Sequence, residues 1–226
     1  MTRARADRIL DAAGELLLHH GHRKVTVEDV AERAGVGKGT VYLHWRTKRR
    51  VFQALILRNA GEVIDELVKA LEQDPGEVRP HRFARRTYLA IQQRPLMRAV
   101  VRRDADLIGA LKTGSMRQEQ ILYGQRYFDL MRDHGLLRAD FPDAEYAYGA
   151  VVGGFFTVDT LAPDPHDLDE HRKADALART LRRALEPTTD PEPEVVRHAA
   201  AELAALYREV ADLQHEWIYG TDEGDG

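Results

Sequence analysis

Apolar positions recur at steps of three and four through almost the whole chain, and no stretch alternates with period two, so the pattern predicts an all-α protein. The segment ILDAAGELLLHHG (9–21) reads as an entering helix. A short helix follows from Thr26 to about Ala34, with Val27, Val30, Ala31 and Ala34 on one stripe and Glu28, Asp29, Glu32 and Arg33 left wet. Thr26 precedes Asp29 by three residues, so hydroxyl and carboxylate can each take an orphan amide at the helix start. Gly35 stops it, since glycine takes the left-handed backbone at a helix C-terminus without strain. A second short helix from Lys38 to about Trp45 turns Val41 and Trp45 inward and leaves Lys38, Thr40, Tyr42, Leu43 and His44 pointing away.

Longer helices are expected to Gln73, from Pro80 to Gln93, Pro95 to Leu111, Ser115 to His134, Asp143 to Leu161 and Asp167 to Leu185. The apolar run from Ala147 to Val158 is too short to span a bilayer and reads as buried helix. Past the linker PTTDPEP (187–193), Val196, Ala199, Leu203, Leu206, Val210, Leu213 and Trp217 form a heptad stripe, which suits a short coiled coil or a long helix packed on its own domain. The acidic end TDEGDG has the composition of a disordered tail.

A short helix that exposes a cation, a hydroxyl, a phenol and an imidazole is fitted to the major groove, where such groups meet phosphate oxygens and base edges. GVGKGT is not a phosphate-binding P-loop: that motif needs glycine where Glu32 stands and a hydroxyl where Gly39 stands, with a strand before it.

Residues from about Arg8 to Phe52 resemble the N-terminal domain of TetR-family transcriptional regulators. The likeness lies in the entering helix, the Thr26 cap, AGV at 34–36, GTVY at 39–42, His44 with an aromatic after it, and Thr47-Lys48 opening the next helix. By that resemblance the DNA-contacting set is Thr26, Lys38, Gly39, Thr40, Tyr42, Leu43 and His44, with Lys48 as a phosphate clamp. Gly37 stands where the family often has serine, Trp45 where phenylalanine is common, and Arg49 where glutamate is usual. The last change weakens helix capping but adds positive charge.

Charge agrees. The first 50 residues hold 11 Lys and Arg against 6 Asp and Glu, a net of +5 that leaves −9 for the rest of a chain totalling −4. Arg3 and Arg5 read as a flexible arm able to reach phosphate or the minor groove, or as a solvated terminus. With no cysteine, disulfides, thiol catalysis and thiolate metal sites are excluded, and the polar, basic start suggests a cytoplasmic protein without membrane contact. No serine, histidine and acid stand at a catalytic spacing, so no enzyme is expected. His19, His20 and His22 suit a helix C-terminus, and His166 and His171, five apart, do not share a helix face, so neither a metal nor another cofactor is expected.

The 226 residues divide into a helix-turn-helix domain (1–50), a larger helical effector-binding and dimerisation domain (51–186), and a linker, extra helix and tail (187–226). The resemblance implies a homodimer paired through the eighth and ninth helices, and Gly149 and Gly153, with Ala174, Leu177 and Leu181, are the candidate interface. It also implies a small-molecule effector. Tyr88, Ile91, Met97, Met116, Gln120, Tyr123, Tyr127 and Phe155 offer apolar walls with polar tips; packed core is the other reading. From Val78 to Arg103 there are eight arginines and no acid, which suits an anionic effector or pairing with acidic helices nearby. The reading is a ligand-released repressor of a palindromic operator. The alternatives are a helical enzyme or carrier that lost DNA binding and an architectural DNA binder of low specificity.

Overall fold

The computed structural model describes residues 3–102, 114–161 and 167–220, and within them the side chains of all but 114–122, 160 and 161. The described residues form an all-helical protein: α1 (Arg3–Lys24), α2 (Val27–Arg33), α3 (Lys38–His44), α4 (Lys48–Gln73), a 3-10 turn (Pro75–Val78), α5 (Pro80–Gln92), α6 (Pro95–Arg102), α7 (Gly114–Asp133), α8 (Ala144–Leu161), α9 (Glu170–Leu185) and α10 (Pro193–Tyr219). None of these helices is long and apolar enough to cross a membrane. The expected continuation of α6 to Leu111 lies outside the described residues.

Local chemistry sets most of the boundaries. Gly35 has φ +66°, its amide donates to the Glu32 carbonyl at 3.1 Å, and the Val36 amide donates to Ala31 at 3.0 Å, which closes α2 in a Schellman motif. Gly135, φ +62°, closes α7 in the same way, through its own amide to Arg132 and that of Leu136 to Met131. Two starts differ from the sequence reading. α1 already begins at Arg3, so Arg3 and Arg5 are helical and the flexible arm is corrected. α9 begins at Glu170 rather than Asp167, because Asp167 is left-handed at φ +46° and the Asp169 carboxylate takes the Arg172 amide at 2.8 Å.

The chain divides into two compact units. The first is Met1–Glu62, Arg94–Lys112 and Val210–Gly226; the second is Val63–Gln93 and Thr113–Glu209. These limits do not fall at residues 50 and 186. The core of the first unit needs Val51, Phe52, Leu55 and Ile56 of α4, Leu96 of α6 and Ile218 of α10, packed with Ile9, Leu10, Leu17, Val30, Val41 and Trp45. In the second unit α5 packs most extensively on α9, with Tyr88, Leu177, Leu181 and Leu185 fully buried.

Candidate nucleic-acid interface

The helix-turn-helix is held by reciprocal caps and a two-residue anchor. The Thr26 amide donates to Asp29 Oδ2 at 2.7 Å and the Asp29 amide to Thr26 Oγ1 at 3.1 Å. That bonding holds the Asp29 carboxyl below its ordinary range, with the Thr26 amide the largest cause. Val41 (fully buried) and Trp45 (2% exposed) fix α3 to the core. Arg33 donates to Glu15 at 2.7 Å, and Lys38 pairs with Glu28, so ion pairs link α1 to α2 and α2 to α3. All four side chains are exposed, and such pairs add little stability.

One face of α3 is open to solvent. Lys38, Gly39, Tyr42 and Leu43 are exposed, Leu43 by 69%, and nothing lies within 4 Å of where a Gly39 Cβ would be. At about 100° per residue these four fall within one arc of the helix. Thr40 and His44 fall on the opposite flank beside Val41. The structure corrects the outward placement of His44, whose Nε2 is buried with its ring 5.3 Å from that of Trp45, while Thr40 is half-buried. Burial, then the Arg5 charge, holds the His44 imidazole below its usual range, so at neutral pH it is uncharged. Lys38 Nζ also stands 5.7 Å from the Tyr42 ring centre, which places cation, phenol and the exposed Leu43 on one short rod.

Lys48 has a task that its spacing did not reveal. Its Nζ donates to the His22 carbonyl at 2.6 Å and stands 5.9 Å from the Phe52 ring, satisfying the end of α1 where Gly21 (φ +72°) breaks the helix. An ammonium has three donors, so two remain for phosphate. Thr47 Oγ1 accepts the Arg50 amide at 3.1 Å and starts α4 despite Arg49, which is exposed. Trp45 was recognisable as unusual, and a buried indole N–H needs an acceptor. The acceptor lies in α10, far away in sequence.

Of the effector candidates, Tyr88, Ile91 and Tyr127 are buried in the second unit. Tyr88 Oη donates to Glu170 at 2.7 Å and accepts from Gln92 Nε2 at 2.8 Å, so its polar tip is already used in joining α5 to α9. Burial pushes the phenols of Tyr88 and Tyr127 far up. Phe155 is half-buried, while the ring of its neighbour Phe156 lies tilted 4.9 Å from that of Tyr88. Met97 belongs to the first unit, Tyr123 is half-buried beside Arg126, and the side chains of Met116 and Gln120 lie outside the described residues.

The arginine run is largely engaged with acids. Arg79 meets Asp190 at 2.8 Å, Arg82 meets Asp74 and Glu77, Arg85 meets Asp175 at 2.6 Å, Arg86 meets Glu77 at 3.3 Å and Arg94 meets Glu62 at 3.6 Å. These pairs match the other reading of the run, pairing with acidic neighbours, and Arg103 lies outside the described residues.

The candidate dimer face also divides. Ala174, Leu177 and Leu181 are fully buried within the chain and are corrected from interface to core. Gly149 is exposed and Gly153 half-exposed, with nothing within 4 Å of a Cβ at either. They lie with Tyr146 (82% exposed), Ala150, Gly154 and Val158 on one uncovered side of α8.

Residues 9–55 match the family described as bacterial regulatory proteins, tetR family. The HTH-type transcriptional regulator TtgR of Pseudomonas putida is 29% identical over 174 residues, covering 71% of this chain and 82% of its own. The probable HTH-type transcriptional regulator ArpR, also of Pseudomonas putida, is 28% identical over the same shares. Among solved structures, SmeT, the repressor of the Stenotrophomonas maltophilia multidrug efflux pump SmeDEF, superposes with TM-score 0.59 at 22% identity, over 83% of this chain and 97% of its own. A gamma-butyrolactone receptor does so with TM-score 0.52 at 17% identity, over 93% and 98%. Both structural likenesses are of fold.

Proposed function

We infer, from the match of residues 9–55 to the TetR family of bacterial regulatory proteins and the likeness to TtgR, that the chain is a DNA-binding transcriptional repressor whose hold on DNA a small molecule controls. It is not an enzyme. The observation that carries the reading is the solvent-open face of α3, where Lys38, Gly39, Tyr42 and Leu43 stand together on a helix anchored by Val41 and Trp45. Lys38 and Tyr42 supply donors for base edges and phosphates, and Leu43 an apolar surface for a thymine methyl. The remaining donors of Lys48 and the exposed Arg49 serve the backbone, and Arg3 and Arg5 add to the same basic field from the first turns of α1.

The operator is a palindrome read by a homodimer, since a helix of this length covers only a few bases. The pairing surface is the uncovered side of α8, from Tyr146 through Gly149, Ala150, Gly153 and Gly154 to Val158. The effector binds the second unit, with Tyr123 and Phe155 among its lining, and its character is apolar or aromatic. A coupling of about 1–3 kcal/mol changes DNA affinity roughly 5- to 150-fold. Such a protein works in the cytoplasm, where its DNA is.

Selection from random duplexes, followed by binding at several salt concentrations, tests this. One enriched palindrome is the expected result. Indifferent coating of all duplexes would favour an architectural role, and no retention at low salt would overturn DNA binding. Lys38→Ala is expected to relax base preference at the position it reads, by about 1–3 kcal/mol of discrimination. Lys48→Ala should weaken all sequences alike and reduce the salt slope by about one. Equal loss on specific and scrambled duplexes would reject the base-reading role of Lys38.

A further inference from the structure

The end of α10 shares a compact unit with the helix-turn-helix. Trp45, directly after α3, donates its indole N–H to the Ile218 carbonyl at 3.2 Å in a buried bond. Ile218 is within the last turn of α10, where carbonyls have no intrahelical amide to accept from, so the indole satisfies an orphan acceptor. The Ile218 side chain, 6% exposed, enters the same apolar core as Val41 and Trp45. One residue on, the Tyr219 hydroxyl donates to Asp7 on α1 at 2.5 Å, and burial first, then this bond, raises that phenol to about 12. The Arg3 guanidinium stands 5.1 Å from the Tyr219 ring and that of Arg50 5.4 Å from the Trp217 ring, two cations at the negative end of the α10 dipole. The Gly220 amide then closes the helix on Glu216 at 2.7 Å, where a Cβ would collide with that carbonyl.

We propose that the last turns of α10 are a working part of the DNA reader: Trp45 and Tyr219 are positioning residues that pin the C-terminal end of α3 and the start of α1 to one fixed support. This rests on the reading of α3 as the recognition helix. A seven-residue helix with only Val41 buried along its length cannot hold its own tilt, and Trp45 is the next anchor available to it. Base-edge hydrogen bonds fail within a few tenths of an ångström of misplacement, whereas attraction to phosphate falls slowly with distance. Loosening the latch therefore costs specific binding more than non-specific binding. The phenylalanine common in the family at position 45 would keep an aromatic ring there and make no such bond.

The test uses the full chain and three conservative variants, Trp45→Phe, Tyr219→Phe and the two combined. The probes are a duplex enriched by the wild type and its scrambled counterpart. Without DNA, backbone amides of residues 38–45 in the double variant should exchange about tenfold faster, as expected for losing the two hydrogen bonds of the latch, each of modest net strength. With DNA, affinity for the enriched duplex should fall about tenfold and that for the scrambled duplex by less than about twofold. Unchanged exchange overturns the latch, and faster exchange with an unchanged ratio of specific to scrambled affinity overturns its positioning role. Should the wild type enrich no duplex, the recognition-helix reading fails, while amide exchange still decides whether the latch exists.

Discussion

Helices of seven residues do not persist in water on their own, so single side chains at their borders decide whether α2 and α3 form. Thr26→Ala should lower stability by about 1 kcal/mol, read as a lower thermal midpoint, since one arm of the capping box is lost. The Asp29 carboxyl is depressed by its bonds to Thr26, so its contribution is full above its ordinary value of 3.8 and is lost as pH falls through its lower folded value. His22 and His44 act at milder pH. Burial lowers both, with Lys48 adding to the effect on His22 and Arg5 to that on His44. The unfolded chain therefore takes up protons first, and stability falls as pH drops below 6.5. The thermal midpoint should decline from about pH 7.5 to about pH 5.5, and His22→Asn with His44→Asn should flatten that decline; an equally steep decline in the variant would count against it. Thr26, Asp29 and Gly35 were legible in the sequence because they act on backbone within three residues. The inward set of His44, the task of Lys48 and the acceptor of Trp45 depend on other helices and were not.

At the scale of elements, periodicity located the helices but not what covers them. Ala174, Leu177 and Leu181 make the same apolar stripe whether a partner chain or α5 packs on it, and α5 does. Leu177→Ala should accordingly cost about 2–5 kcal/mol in denaturant unfolding of the chain, at any protein concentration. A cost that vanished on dilution to monomer would restore Leu177 to the interface. In α10 the heptad stripe is buried from Val196 through Ala199, Leu203 and Leu206 to Val210, but Leu213 and Trp217 are exposed and Ile218 takes the inner position. A straight helix turns about 20° per heptad away from a strict seven-residue repeat, which brings the next residue inward by the third heptad. That drift fits a helix packed within its own chain and not a supercoil. The late start of α9 depended on a left-handed Asp167, which nothing nearby in the sequence marks.

For the whole molecule, the proposed function requires two copies of α3 held at a fixed separation, roughly 34–36 Å or a multiple of it along the duplex. Ala150→Glu with Gly154→Glu puts like charges on the uncovered side of α8 and should weaken self-association by about 100-fold or more. Sedimentation would read the shift to monomer, and specific DNA affinity should fall with it; a variant still dimeric would move the interface elsewhere. The central claim is that the open face of α3 lies against the duplex. Photo-crosslinking from position 43, with a benzophenone side chain in place of Leu43 and the same label at Thr180 as the reference, tests it most directly. The account expects crosslinks from position 43 to bases in both arms of the enriched duplex, and few from position 180. Bound DNA that crosslinks no better from position 43 than from position 180 would contradict it.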